Sequence, residues 1–412
     1  MRREGVRNGE TLEKIRTALK EGKKPCEIAR ELGISRQAVY SHMDNIKGKG
    51  ESKRKEHDGK TFKSKRKKYL INWSIYNDAL VMRGEFIFCF DLLSLEKQLL
   101  SEMNLGKEGK HFEYSDTLMD VCRIMKVAFK LDFRTLEGAC RKLFALFGLH
   151  APDYTTMCKR FATLDAEIKE FSATDEREIA ADGTGRSQNK RGYYRESKYN
   201  TKSRAFVRVS ICVDVKTKEV TVAKVTTQQE SEIPSVKEAV EETSKKSKVT
   251  KVYADKLHDS KEFRGTLISK GIKPVIPARE TVSANEAKRR LENIAEKIKE
   301  VSNTPEYYKN LGEYQRLKTL IEINADYDKW RDENEYGKRS IVENLFSRDT
   351  LIFSDSVSSK GLTKAQKEIN ARCTMLNIFV NLSRAKTKEE LKSISEVIKR
   401  RLIAEGGIAL KG

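Results

Sequence analysis

The sequence predicts an α/β protein: an N-terminal helix-turn-helix, a helical intermediate domain, and a mixed-sheet core interrupted by a helical insertion. Three observations predict it. Apolar residues recur three and four apart through residues 9–46 and 69–170, the period of amphipathic helices. At residue 178 the pattern changes to short, β-branched, alternating runs. Within that second region, carboxylates far apart in the chain, Asp182, Asp255 and Glu343, fall at strand ends or on a helix face.

Bulk composition narrows the partner. A chain of 412 residues is too long for one ordinary core, so two or three domains are expected. With 82 Lys and Arg against 61 Asp and Glu, the formal net charge is +21, which points to a polyanion held through counterion release, most simply nucleic acid. The seven cysteines (Cys26, Cys89, Cys122, Cys140, Cys158, Cys212 and Cys373) are odd in number and contain no C-x-x-C pair. Neither a disulfide framework nor a structural zinc site is therefore expected. The first residues, M-R-R-E-G-V-R-N, show no apolar h-region, and no run nears the ~18 residues of a membrane span. The expectation is a cytoplasmic, nucleoid-associated protein with no membrane contact.

Residues 1–47 read as a helix-turn-helix DNA-binding domain. Leu12, Ile15 and Leu19 give a first helix, Pro25 opens a second, and Gly33 supplies the turn, with Ile28, Ala29, Leu32, Ile34 and Val39 as the core. Ser35 would cap the next helix, and Ser35, Arg36, Gln37 and Tyr40 would project toward a major groove. Residues 48–68 form a basic linker suited to gripping phosphates. Residues 69–172 are a helical domain, with Ser115 and Asp153 as N-caps and Phe129, Phe144 and Phe147 as core aromatics.

The first part of the core spans 173–282. It holds a strand E-I-A-A-D ending at Asp182, strands over 205–215 and 219–227, a helix behind Ser231, the strand K-V-Y-A-D ending at Asp255, a helix from about Ser260 that Asp259 caps, and the strand K-P-V-I-P. Three antiparallel strands followed by α-β-α-β is the ribonuclease H-like order. Heptad-spaced Ala284, Ala287, Leu291, Ile294, Ile298 and Val301 open a helical insertion over 283–328. Residues 329–385 complete the core with the Glu343 helix, and 386–412 form a C-terminal helix and tail.

Three acids in a basic chain are what a two-magnesium phosphoryl-transfer site needs, because Mg²⁺ takes hard oxygen donors and a metal pair can hold both the attacking and the leaving oxygen. Asp182 precedes Gly183-Thr184-Gly185, where a ligand can approach the backbone. Tyr336 and Arg339 lie seven and four residues before Glu343, on one helical face. Between the first two strands, Arg191, Tyr193 and Arg195 interleave charge with stackable rings and suit a DNA end.

With those residues in view, the chain resembles insertion-sequence transposases of the DDE superfamily, in the branch with a Y-R-E signature. The resemblance rests on N-W-S-I-Y-N-D-A-L-V-M-R-G (72–84), P-D-Y-T-T, A-D-G-T-G, V-Y-A-D-K and Y-G-K-R-S-I-V-E, and it covers roughly residues 70–385. It implies a metal cage of Asp182, Asp255 and Glu343 holding two Mg²⁺ ions, with Mn²⁺ able to substitute. It also implies cleavage at inverted-repeat ends of double-stranded DNA and attack of the freed 3′-hydroxyl on target DNA, with Arg339 on a phosphate and Tyr336 packed beside it. A homodimer or larger synaptic assembly is implied because two ends must be joined. One departure stands out: where the pattern often has Lys seven residues after Glu, this chain has Thr350. The alternatives are a transposase-derived DNA-binding regulator without chemistry, and a metal-dependent DNA nuclease.

Overall fold

Helical spacing and two glycines of positive φ, Gly22 and Gly33, shape the first of two units, Met1–Leu70. The computed structural model describes residues 9–23, 25–34, 39, 72–88, 90–164, 167–172, 174–188, 206–300, 303–359 and 361–404. In this unit α1 (Gly9–Lys20) and α2 (Pro25–Glu31) enclose buried Ile15, Ile28, Ala29 and Val39. Gly33 turns the chain at φ +64°, a conformation that costs glycine nothing. Ser35, Arg36, Gln37 and Tyr40 lie outside the described residues, as does the basic linker.

The second unit, Ile71–Gly412, begins with helices α3 (Trp73–Ile87), α4 (Phe90–Ser94), α5 (Glu96–Asn104), α6 (Asp116–Ala128), α7 (Phe133–Ala145) and α8 (Tyr154–Thr163). Side-chain caps set several starts: Ser115 accepts from the Leu118 amide, Asp132 from Arg134 and Thr135, and Asp153 from Thr155 and Thr156. Phe144 is fully buried, but Phe129 and Phe147 are substantially exposed, so only one of the three expected core aromatics is core. The other two end their helices, where the apolar stripe runs out over solvent.

The sheet follows as β1 (Glu176–Gln188), β2 (Phe206–Asp214), β3 (Val220–Thr227), α9 (Glu232–Lys246), β4 (Lys248–Ala254), α10 (Lys261–Ser269) and β5 (Lys273–Val275). The strand order is β3-β2-β1-β4-β5, with β1–β2 and β2–β3 antiparallel and β1–β4 and β4–β5 parallel. The insertion forms α11 (Ala284–Glu300) and α12 (Pro305–Ala325), followed by α13 (Tyr327–Glu333), α14 (Ser340–Phe353), β6 (Ser356–Val357), α15 (Leu362–Leu382) and α16 (Lys388–Ala404).

Alternation assigns the two faces. Ile179, Ala181, Cys212, Val252 and Ala254 pack with residues of α9 and α10, while Ala180, Val213 and Tyr253 join a core that continues through α6, α14 and α15. Covered on both sides, β2 is buried along almost its whole length.

The sequence reading passed over α15 because its apolar residues surround the helix rather than mark one face. Fourteen of its residues are buried. Its amides finish the sheet. Gln366 Oε1 accepts from the Val225 amide at 2.7 Å and its Nε2 donates to the Ala223 carbonyl at 2.8 Å. Asn377 accepts from Val220 N at 2.7 Å and donates to Val220 O at 2.9 Å and Lys169 O at 3.0 Å. Side-chain amides thus replace a neighbouring strand at the outer edge of β3. Asn377→Leu is expected to leave these buried groups unpaired and cost about 2–4 kcal/mol, read by denaturant unfolding.

Candidate active site

β1 does not stop at Asp182. It runs thirteen residues, and Asp182 pairs in mid-strand with Ile211 of β2. What ends there is the other neighbour, since the last β1–β4 pair is Ala181 with Ala254. β6 pairs with β1 only at Ser187 and Gln188. Along Asp182–Arg186, no described strand covers that side of β1, and the candidate site lies in this gap.

The residues just beyond the last pair are Asp182 and Asp255, side by side at the ends of adjacent parallel pairing. Asp255 begins a 3₁₀ turn, Lys256–His258, and accepts from the Lys256 amide at 2.6 Å. Tyr336 and Arg339 stand in a second 3₁₀ turn rather than on the Glu343 helix, which starts at Ser340. The turn still aims Arg339 at both flanking acids: its Nη1 donates to Asp182 Oδ2 at 3.1 Å and its Nη2 pairs with Glu343 Oε1. Burial opposes the Arg339 charge, yet Tyr336, Glu343, Asp182 and Asp255 together raise its pKa. Tyr336 is nearly buried, 5.3 Å from the Trp330 ring centroid, with its hydroxyl 3.5 Å from the Ala254 carbonyl. It is a packing residue at the end of β4, and burial above all pushes its hydroxyl pKa up. Arg191, Tyr193 and Arg195 lie outside the described residues.

Two more side chains join Asp182 from its other flank. His258 is fully buried, its Nε2 3.2 Å from Glu232 Oε1 and 3.9 Å from Asp182 Oδ1. Burial disfavours its charge, but the Asp182 and Glu232 carboxylates prevail and raise its pKa to about 9. Gly183 makes room for Glu232: a Cβ there would lie 2.4 Å from the Glu232 side chain. Sequence reasoning passed over Glu232. The available signal was topological, because β1, β3 and β4 run the same way, which puts the start of α9 and the turn after β4 at one end of the sheet.

The donor set fits a divalent cation. Asp182, Glu232 and His258 each offer a ligand atom, all within 4.8 Å of one another. Neither ring nitrogen of His258 has a hydrogen-bond partner of good geometry. Carboxylate oxygens are the hard donors that Mg²⁺ and Mn²⁺ prefer, and an imidazole among them favours Mn²⁺.

Asp259 is not the cap of α10. Ser260 takes that place by accepting from Phe263 N at 3.0 Å, while Asp259 is buried among arginines. Asp214 is a turn residue, accepting from the Lys216 and Thr217 amides.

The sheet order, with helices on both faces, makes this a ribonuclease H-like core. A family model described as the transposase DDE domain matches residues 173–378, half of the chain, and another with the same description matches residues 81–188. The chain belongs to the DDE transposases, which are polynucleotidyl transferases and endonucleases that depend on divalent metal. The solved Drosophila P element transposase strand transfer complex aligns at 10% identity over 76% of this chain and 98% of that chain. The TM-score is 0.28. Among the described residues, no helix is long and apolar enough to cross a membrane.

A neighbouring cluster holds the Arg339 turn. Glu178 accepts from Lys338 at 2.8 Å, Lys251 at 2.9 Å and the Tyr253 hydroxyl at 3.0 Å. Desolvation opposes its charge, but these donors win and hold its pKa at about 2. A depressed carboxylate pKa contributes stability that is full above the ordinary Glu value and is lost as pH falls toward the folded one. The stability gap between wild type and Glu178→Gln is therefore expected to be widest near neutrality and to close between about pH 4.5 and pH 2 in acid-unfolding curves.

Proposed function

We propose that this transposase cuts DNA at transposon ends and joins the freed 3′-hydroxyl to target DNA, using Asp182, Asp255 and Glu343 as its metal-holding acids. The observation that carries the assignment is the bridge at Arg339: one guanidinium pairs with both Asp182 and Glu343 beside the strand-end Asp255. A cation already bridges two of the three acids, and a positive charge between carboxylates lets both stay ionised. The ions expected are two Mg²⁺, with Mn²⁺ able to substitute. When bound, they supply Lewis acidity to the attacking hydroxyl and the leaving oxygen.

The chain's own residues do the rest. Asp182 is fixed by β1 and Asp255 by the turn after β4, so two of the acids sit on rigid elements. Arg339, released from the carboxylates, has the fork geometry to hold a backbone phosphate. Tyr336 packs beneath it, 5.9 Å from ring centroid to guanidinium carbon, and limits where it can swing. The partner we assign is double-stranded DNA, both inverted-repeat ends and target, met by a basic chain. We assign Ser35, Arg36, Gln37 and Tyr40 to groove reading, and Arg191, Tyr193 and Arg195 to the DNA end. A homodimer or larger assembly would join two ends, in the cytoplasm.

Asp182→Asn and Glu343→Gln are each expected to lower nicking and strand transfer by roughly 10²–10³-fold or more on a labelled inverted-repeat duplex. Binding of that duplex, read by mobility shift, should persist. Cleavage at wild-type rate in both variants would remove the assignment.

A further inference from the structure

The helical insertion is joined to the core with unusual closeness. Helices α10 and α12 cross at two glycines. A Cβ on Gly312 would stand 2.1 Å from the Lys261 carbonyl oxygen and 2.6 Å from the Gly265 amide nitrogen. A Cβ on Gly265 would stand 2.4 Å from the Tyr308 carbonyl oxygen. The obstacles are backbone, which cannot swing aside as a flexible side chain can. The two helices meet main chain to main chain, and Lys309 pairs with Glu262 at 3.4 Å alongside.

That crossing delivers Arg316 of α12 to Asp259. Arg316 Nε donates to Asp259 Oδ2 at 2.9 Å, Arg264 Nε donates to Oδ1 at 2.9 Å, and the Arg279 amide donates to Oδ2 at 2.8 Å. The Asp259 side chain is completely buried, a placement a carboxylate keeps only with partners of this kind. Asp259 is the next residue after the Lys256–His258 turn, and its own amide donates to the Lys256 carbonyl. Arg279 grips the same turn, Nε to Lys256 O at 2.9 Å and Nη2 to Leu257 O. Arg316 braces that loop in turn, with Nη2 2.7 Å from Thr281 Oγ1 and 3.4 Å from Arg279 O.

We infer that the inserted hairpin positions the second aspartate: through Arg316 and Asp259, α12 sets the place of the turn that carries Asp255 and His258. The functional half of this statement rests on the site assignment proposed above, and the structural half does not. Arg316 is a positioning residue, which touches neither Asp255 nor His258. An insertion that were only a surface appendage would need neither paired glycines nor a buried carboxylate at its root. Removing Arg316 leaves Asp259 with Arg264 and the Arg279 amide, so the charge stays compensated and the fold should survive while the turn loosens.

Hydrogen exchange on the full chain tests the structural half. In Arg316→Met and in Gly312→Ala, amides of residues 256–260 are expected to exchange about tenfold faster or more, while amides of Phe206–Asp214 keep the wild-type rate. Arg316→Lys should fall between wild type and Arg316→Met. Cleavage of the inverted-repeat duplex should lose about tenfold or more in kcat with KM for DNA unchanged. Wild-type exchange at the turn, or equal acceleration in β2, would overturn the inference, as would unchanged kcat beside a loosened turn. A wild-type protein that does not cleave DNA would instead sink the proposed site, and the exchange rates would still decide whether α12 holds the turn.

Discussion

Parallel pairing between β1 and β4 ends at Ala181 and Ala254, and that ending makes neighbours of the next residue on each strand. Past it, β1 continues against β2 alone until β6 joins at Ser187. A central strand with one side open for five residues would ordinarily expose unpaired backbone, a liability in any sheet. Here the opening is occupied by the turn before α14 and by side chains that converge on Asp182. The fold accepts an interrupted sheet, and the interruption becomes the place where ligands can reach the strand.

Gathering acids in that opening has an electrostatic cost. Two like charges about 4 Å apart repel by about 4 kcal/mol at an effective dielectric of 20. The chain answers with cations of its own: Arg339 between Asp182 and Glu343, and Lys338 and Lys251 on Glu178, while the His258 imidazole stands against Glu232. Arg339 and His258 approach Asp182 from different oxygens, Oδ2 and Oδ1 respectively, so each is a separate door to the same carboxylate. An ion on the Oδ2 side would compete with Arg339, whereas one on the Oδ1 side would find His258 and Glu232 as further ligands. The protein is in that sense held in a metal-ready charge state rather than a repelling one.

Much of this was legible in the residues, and the failures have physical causes. Alternating β-branched runs located β2 and β3 to within a residue, because a strand's period is fixed by its pleat. Asp255 was legible as a strand-end acid, but Asp182 lies in mid-strand, because A-D-G-T-G-R-S lacks β propensity and is held extended by pairing with β2. Helix α15 was missed because tertiary burial on all sides erases the amphipathic stripe. Asp259 was misread as a cap because N-cap preference is local. Its real partners, Arg264, Arg279 and Arg316, come from as far as 57 residues along the chain. Glu232 could be found only by knowing that β3 runs parallel to β1.

The departure at Thr350 has a structural counterpart. Arg186 lies four residues beyond Asp182 on the same face of β1, and its guanidinium is buried against α14. It donates to the Thr350 hydroxyl at 2.6 Å and pairs with Asp349 at 2.6 Å. A lysine at 350 would bring a second cation beside the buried Arg186 guanidinium, which Asp349 pairs directly. Threonine instead gives Arg186 an acceptor and keeps the charge balanced. Arg186 of the neighbouring strand thus fastens the Glu343 helix to β1, and the positive group that α14 itself carries near this end is the exposed Arg348. In the reaction proposed above, gripping a phosphate would then fall to Arg339, whose two carboxylate partners are Asp182 and Glu343.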